Sequence, residues 1–209
     1  LFPYTTLFRS HIFIGFNKEY AALCGVETPE DDNEGYTYRT VGDNIWIYGG
    51  KKRGTMYGVY SILENEFGVR WYTMDYTKIP KANSWRLKNL CHSEEPVVRF
   101  RFDQYYNVDH GDWQAHNKCN SAYWVDENRY GGLSSYWEGH TFRIFISPEG
   151  YFAEHPEYFS LREGVRRPDA QLCLSNPEVL QICIDKMKYT IQTNPLFDIY
   201  SMSQNDNPF

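Results

Sequence analysis

Apolar and polar positions alternate through "GYTYRTVGDNIWIYGG", Gly35 to Gly50, with β-branched and aromatic residues on both sides of Gly42-Asp43. This alternation predicts two short strands, and a two-residue Gly-X connection fits a type II′ hairpin. The period then changes. In "GTMYGVYSILENEFG", Met56, Val59, Tyr60, Leu63 and Phe67 recur at helical spacing, and Gly68 stands where a left-handed residue would stop the helix. "HIFIGF" is an apolar run ahead of a polar loop from Thr28 to Glu34, and "VRWYT" reads as extended after the helix. The first domain is therefore expected to be a small α+β unit, an antiparallel hairpin with one helix packed on it, over residues 11–92.

Pro80 to Cys91 is irregular and runs into "HSEEP", which places a domain boundary near Ser93 to Pro96. Beyond it "VVRFRF" reads as a strand. The clearest pattern is the last: "QLCLS", then "NPEVLQICIDKMKYTIQTNP", then "FDIYSMS". Asn176 is an N-cap with Pro177 at the first helical position and Glu178 beside the positive helix end. Leu180, Ile184, Met187 and Ile191 form the expected buried stripe, and Asn194-Pro195 ends the helix. Strand, helix, strand with a crossover of this length requires parallel strands, as in doubly wound sheets and β/α barrels, where ligands bind at the carboxyl ends of the strands. Ser175 and Asn176 would emerge on the same rim as Ser203, Gln204, Asn205 and Asp206.

Composition narrows the partners. The chain has 209 residues with 21 basic and 27 acidic side chains, a formal charge of -6 and no basic stripe, so nucleic acid is not an expected partner. No apolar stretch approaches the roughly 20 residues of a membrane-spanning helix. The five cysteines are widely spaced with no Cys-x-x-Cys pair, so neither a zinc site nor a disulfide framework is readable, and no metal or organic cofactor is implied. Aromatic residues reach 18%, many in polar settings such as "DQYYN", "SAYW" and "SSYWEGH". Clustered aromatic faces among amides and carboxylates suit sugar rings, although any single Tyr or Trp can equally fill a core with its polar tip wet.

Two longer stretches carry a family resemblance. Gly35 to Thr73 resembles the small α/β domain that precedes the barrel in β-hexosaminidases and α-glucuronidases, where a Gly-x-x-Tyr-Gly helix start follows a hairpin. From Pro96 to Asn207, "GHTF", "YFAEHPEYFSL", "QLCLSNPEV" and "SQNDN" resemble domain of unknown function 4838, a glycosidase-like barrel family. "LFPYTTLFRS", Leu1 to Ser10, resembles a translated sequencing adapter and is set aside from the fold. The resemblance implies an α/β chain: the small domain, then over residues 93–209 the first half of a TIM-type (β/α)8 barrel. A full barrel takes about 250 residues, so the chain is expected to stop near the fourth strand.

The same resemblance implies a glycoside hydrolase acting on an oligosaccharide or polysaccharide, periplasmic or extracellular, or else a glycan-binding barrel without catalysis. Glycoside hydrolysis uses two carboxyl groups, about 5 Å apart when a covalent intermediate forms and about 6.5–9.5 Å apart when water attacks directly. Asp206 is the candidate general acid. It can alternatively position a substrate group that takes part in its own cleavage, or cap a following helix. β-Hexosaminidases carry an Asp-Glu pair at a comparable place, where this chain has Asn205-Asp206. His140 in "GHTF" and His155 in "HPEY" are candidate binders of a hydroxyl or a sugar carboxylate. Glu157, Asn176, Gln204 and Asn205 are further substrate-binding candidates, with Gln171 and Asn176 hydroxyl binders and Glu157 a possible second carboxylate, although a helix N-terminus alone would favour a negative residue there. Arg99, Arg101 and Asp103 either line a pocket floor or pair with one another.

Overall fold

A computed structural model describes residues 10–25, 33–85, 87, 89–103, 105–108, 111–121, 127–130, 136–195 and 197–206. Leu1 to Arg9, the bulk of the adapter-like stretch, and Asn207 lie outside them. The chain divides into two compact units, Leu1–Ser134 and Ser135–Phe209. The boundary expected near Ser93 to Pro96 falls within the first of these.

The first unit is built on the expected hairpin. β2 (Tyr36–Val41) and β3 (Asn44–Gly49) pair antiparallel from Tyr36↔Gly49 to Val41↔Asn44. Gly42 has φ +58 while Asp43 stays at negative φ, which is the type II′ pattern. β1 (Ile12–Ile14) adds to β3 in parallel and β6 (Cys91–Glu94) to β2 antiparallel, giving the order β1-β3-β2-β6. Side-chain alternation divides the sheet's two faces. Trp46 and Tyr48 pack with Ala21 of α1 (Lys18–Cys24), while Tyr36, Tyr38 and Ile47 pack with Tyr57 and Ile62 of α2 (Gly54–Asn65). Much of the aromatic excess is thus core.

Helix α2 ends at Asn65, two residues before the expected Phe67, and its deepest residues are Tyr57, Gly58, Ser61 and Ile62, flanked by the expected Met56, Val59, Tyr60 and Phe67. Its start lies against backbone: a Cβ at Gly54 would come within 2.2 Å of the Gly35 carbonyl oxygen. Gly68, at φ +71, ends the helix, and the Val69 N–H reaches back to the Leu63 carbonyl at 3.0 Å. "VRWYT" contributes only β4 (Arg70–Trp71), which pairs with β5 (Thr77–Lys78).

"VVRFRF" does not form a strand. Val97 is fully exposed, and the Arg101 main chain pairs with Asn120 instead of a neighbouring strand: Arg101 N–H donates to Asn120 Oδ1 and Asn120 N–H to the Arg101 carbonyl, both at 2.9 Å. Of Arg99, Arg101 and Asp103, Arg101 donates from its guanidinium to the Arg99 carbonyl at 3.5 Å. Arg101 and the buried Arg53 both grip Glu34, and Asn120 Nδ2 donates to the same carboxylate at 3.1 and 3.2 Å. Burial raises the Glu34 carboxyl, but the Arg101 hydrogen bond and the charges of Arg53 and Arg101 outweigh it and hold the group below its ordinary value. The unit also contains α3 (Gly111–His116) and α4 (Glu127–Tyr130).

In the second unit β7 (Tyr136–Trp137) pairs in parallel with β10 (Ile199–Tyr200). Between them run α5 (Phe142–Phe145), α6 (Pro148–Tyr151), a 3-10 turn (Pro156–Tyr158), the hairpin of β8 (Leu161–Arg162) and β9 (Val165–Arg166), and α7 (Pro177–Thr193). Parallel pairing ahead of the "SQND" segment is therefore present, but β10's partner is not "QLCLS". That segment forms an antiparallel bridge between Leu172 and Phe159, supported by Ser160 N–H to the Gln171 carbonyl at 2.7 Å and Cys173 N–H to the Tyr158 carbonyl at 2.8 Å. Its hydrogen-bonding groups are taken by residues 158–160.

Helix α7 has the expected ends: Asn176 Oδ1 accepts from Glu178 N–H at 2.9 Å, Pro177 follows, and Asn194 closes it. Its buried face is rotated by one residue from the expected stripe. Val179, Cys183 and Thr190 are buried, packing Val179 and Cys183 against Phe142, Phe145, Ile146, Phe159 and Leu172; of the expected stripe Met187 packs on this core and Ile184 is half-buried, whereas Leu180 is 54% and Ile191 44% exposed. The chain is a mixed α/β protein, and no closed barrel forms among the described residues. None of its described helices is long and apolar enough to cross a membrane.

Candidate functional site

Parallel pairing of β7 and β10 brings their carboxyl ends together, and the chain after each strand folds into one hydrogen-bonded rim. After β7, Glu138 and His140 both adopt left-handed φ, +41 and +55, on either side of Gly139. Non-glycine residues there cost of order 1–3 kcal/mol each and persist only where surrounding contacts hold them. Two of those contacts come from the end of β10. His140 N–H donates to Ser203 Oγ at 3.0 Å, and the His140 ring donates from Nδ1 to the Gln204 carbonyl at 2.9 Å. A carbonyl can only accept, so Nδ1 carries a proton in this contact.

Thr141, fully buried, closes the rim from below: its hydroxyl donates to the Ser201 carbonyl at 3.1 Å and accepts from Ser203 N–H at 3.0 Å. Gln171 clamps the next residue as a strand would. Its Oε1 accepts from Asn205 N–H at 3.0 Å and its Nε2 donates to the Asn205 carbonyl at 2.7 Å, while Asn205 Oδ1 accepts from Arg143 N–H at 3.1 Å. Asn205 is consequently buried, and the side chains of Gln204 and Asp206 on either side of it are exposed.

The other expected residues gather elsewhere in the same unit. His155 Nδ1 lies 3.0 Å from Glu157 Oε1, and its ring stacks on buried Tyr158 with centroids 4.5 Å apart and planes 8° from parallel. The Tyr158 hydroxyl donates to Glu178 Oε2 at 2.7 Å, which pushes the phenol up to about 12. The Glu157 carboxyl is held below its usual value by its own main-chain N–H and by the His155 ring. Asn176 serves as the α7 cap.

The fold thus assembles His140, Gln204, Asn205 and Asp206 with Gln171 along one strand-end rim, and places His155 and Glu157 with Glu178 in a second cluster. Sequence reasoning did not single out Thr141, Ser203 in its bonding role or Glu138, and read Glu178 only as a charge beside the positive end of a helix. The "EGH" turn after a Tyr-Trp pair was the available signal for Glu138, since Gly between two polar residues at a strand end marks a tight turn. Of the polar-flanked aromatics, Tyr105 and Tyr106 in "DQYYN" are exposed, at 79% and 85%, while Trp137 of "SSYWEGH" stacks on Phe145 in the core.

No curated protein and no solved structure matches the chain. One family does match, over residues 71–209, which cover both strand ends of the rim and the His155 cluster. The chain belongs to the family described as Domain of unknown function (DUF4838).

Proposed function

We propose that the protein is a glycoside hydrolase that binds an oligosaccharide or polysaccharide on the rim formed by the ends of β7 and β10, two neighbouring strands of a β/α-barrel-type arrangement. The observation that carries this reading is the strained Glu138-Gly139-His140 turn, held by hydrogen bonds to Ser203 and Gln204. Strain of this kind clusters at functional sites, and here it fixes an imidazole at the carboxyl end of a parallel strand. Gln204 offers an amide to sugar hydroxyls. Asn205 acts through the main chain it holds in place. Asp206, exposed at the end of β10, is the proposed proton donor, and Glu138, exposed at the end of β7, is the second carboxylate that glycoside hydrolysis calls for. A polymeric substrate goes with a periplasmic or extracellular location.

A second reading, glycan binding without turnover, draws on the exposure of Asp206, because general acids are commonly enclosed away from water. Turnover on a panel of aryl glycosides and aryl glucuronides separates the two. The hydrolase reading expects release of the aryl group from at least one substrate and a loss of about 10²–10⁴-fold in Asp206→Asn. Sugar binding with no release from any substrate supports the second reading, and undiminished turnover in Asp206→Asn removes the acid role.

A further inference from the structure

Outside the rim, the second unit brings one imidazole and two carboxylates to a single point. One ligand atom from each of His155, Glu157 and Glu178 lies within 4.8 Å of the other two. Glu178 is far from the other two in sequence and arrives through the start of α7, which is why the "HPEY" spacing alone shows no metal motif. We propose that His155, Glu157 and Glu178 bind a divalent transition ion of the zinc type, a site that is independent of the glycosidase reading.

The side chains need little movement to ligate. In a tetrahedral zinc shell with bonds of about 2.1 Å, ligand atoms stand roughly 3.4 Å apart. His155 Nδ1 and Glu157 Oε1 are at 3.0 Å and the remaining separations are at most 4.8 Å, so rotations of exposed carboxylates close the set. Tyr158 pre-arranges two of the three ligands from beneath. It is 5% exposed, stacks face to face on the His155 ring and holds Glu178 through its hydroxyl. Outer partners of this sort orient metal ligands and typically change affinity by about 10–100-fold.

Chemistry selects the ion. The N-terminus of α7 carries roughly half a positive charge, and the Arg166 guanidinium sits on the Glu157 and Phe159 carbonyls; both oppose every divalent cation alike, so affinity has to come from imidazole ligation. An imidazole with two carboxylates suits zinc, manganese or nickel better than calcium or magnesium, and three protein ligands leave a position for water or substrate.

Equilibrium dialysis of the purified protein against Zn2+, followed by metal analysis, tests this site. The expected result is one tightly held equivalent per chain, weakened at least tenfold in both His155→Gln and Glu178→Gln, with the exposed Glu149→Gln unaffected. Circular dichroism establishes that each variant is folded. Co2+ in place of Zn2+ is expected to give weak visible bands without thiolate charge transfer, which separates this site from capture by the free cysteines. Absence of a stoichiometric ion, undiminished binding in both variants, or a strong thiolate band overturns the proposal.

Discussion

Thr141 does its work with one hydroxyl. It has no exposed surface, donates to the carbonyl of Ser201 and accepts from the N–H of Ser203, so the rim's geometry hangs on a group that never meets solvent. Thr141→Val keeps the shape and deletes both bonds, leaving a part-buried N–H and carbonyl without this partner. The expected loss is about 1–3 kcal/mol in denaturant unfolding, with sugar affinity falling alongside. Glu34 is the corresponding residue of the first unit. Its carboxyl is held below the ordinary value, so the folded state favours the charged form. The stability this gives is complete above the ordinary carboxylate range, where both states are ionised. It is lost as pH falls through that range to the lower folded value, because the unfolded chain takes up the proton first. Glu34→Gln should therefore be less stable than the wild type at neutral pH, and the difference should shrink on acidification, read by thermal melts across pH. Leaving Arg53 and Arg101 without their partner makes a neutral-pH loss of about 3–5 kcal/mol the expected scale.

Among the elements, α7 is the most instructive. Its ends were legible from Asn176, Pro177 and Asn194, because caps are local chemistry. Its buried face was legible only in part, because Met187 of the regular stripe packs on the core while the partner surface of Phe142, Phe145 and Leu172 receives Val179 and Cys183 in place of Leu180. One residue of rotation is about 100° of helix, and only the tertiary partner decides it. Val179→Ala should cost roughly 1.5–3 kcal/mol and Leu180→Ala stay within about 0.5 kcal/mol, and calorimetry or chemical denaturation reads both. The β2–β3 hairpin was fully legible since Gly42 and the alternation are both in the sequence. "VVRFRF" and "QLCLS" misled for a shared reason: short apolar runs say nothing of which hydrogen-bond partner arrives, and here Asn120 and residues 158–160 arrive first. Gly54→Ala is expected to destabilise the first unit, since its Cβ would sit 2.2 Å from a main-chain oxygen that cannot rotate away.

At the scale of the molecule, two compact mixed α/β units carry a chain whose family match begins at residue 71 and runs through the second unit. The rim was readable as a strand end because four polar residues follow an apolar run. Its partner strand was not, since β7 is a Tyr-Trp pair too short to show a period. The His155 cluster escaped for the opposite reason, its third member being distant in sequence. The proposal that the β7 and β10 ends form a sugar site is tested most directly by mapping amide chemical shifts while the protein is titrated with neutral and acidic oligosaccharides. Saturable shifts centred on His140, Ser203, Gln204 and Asn205, reduced in His140→Ala, are the expected result. Saturable shifts confined to other residues, or none with any sugar, would contradict it.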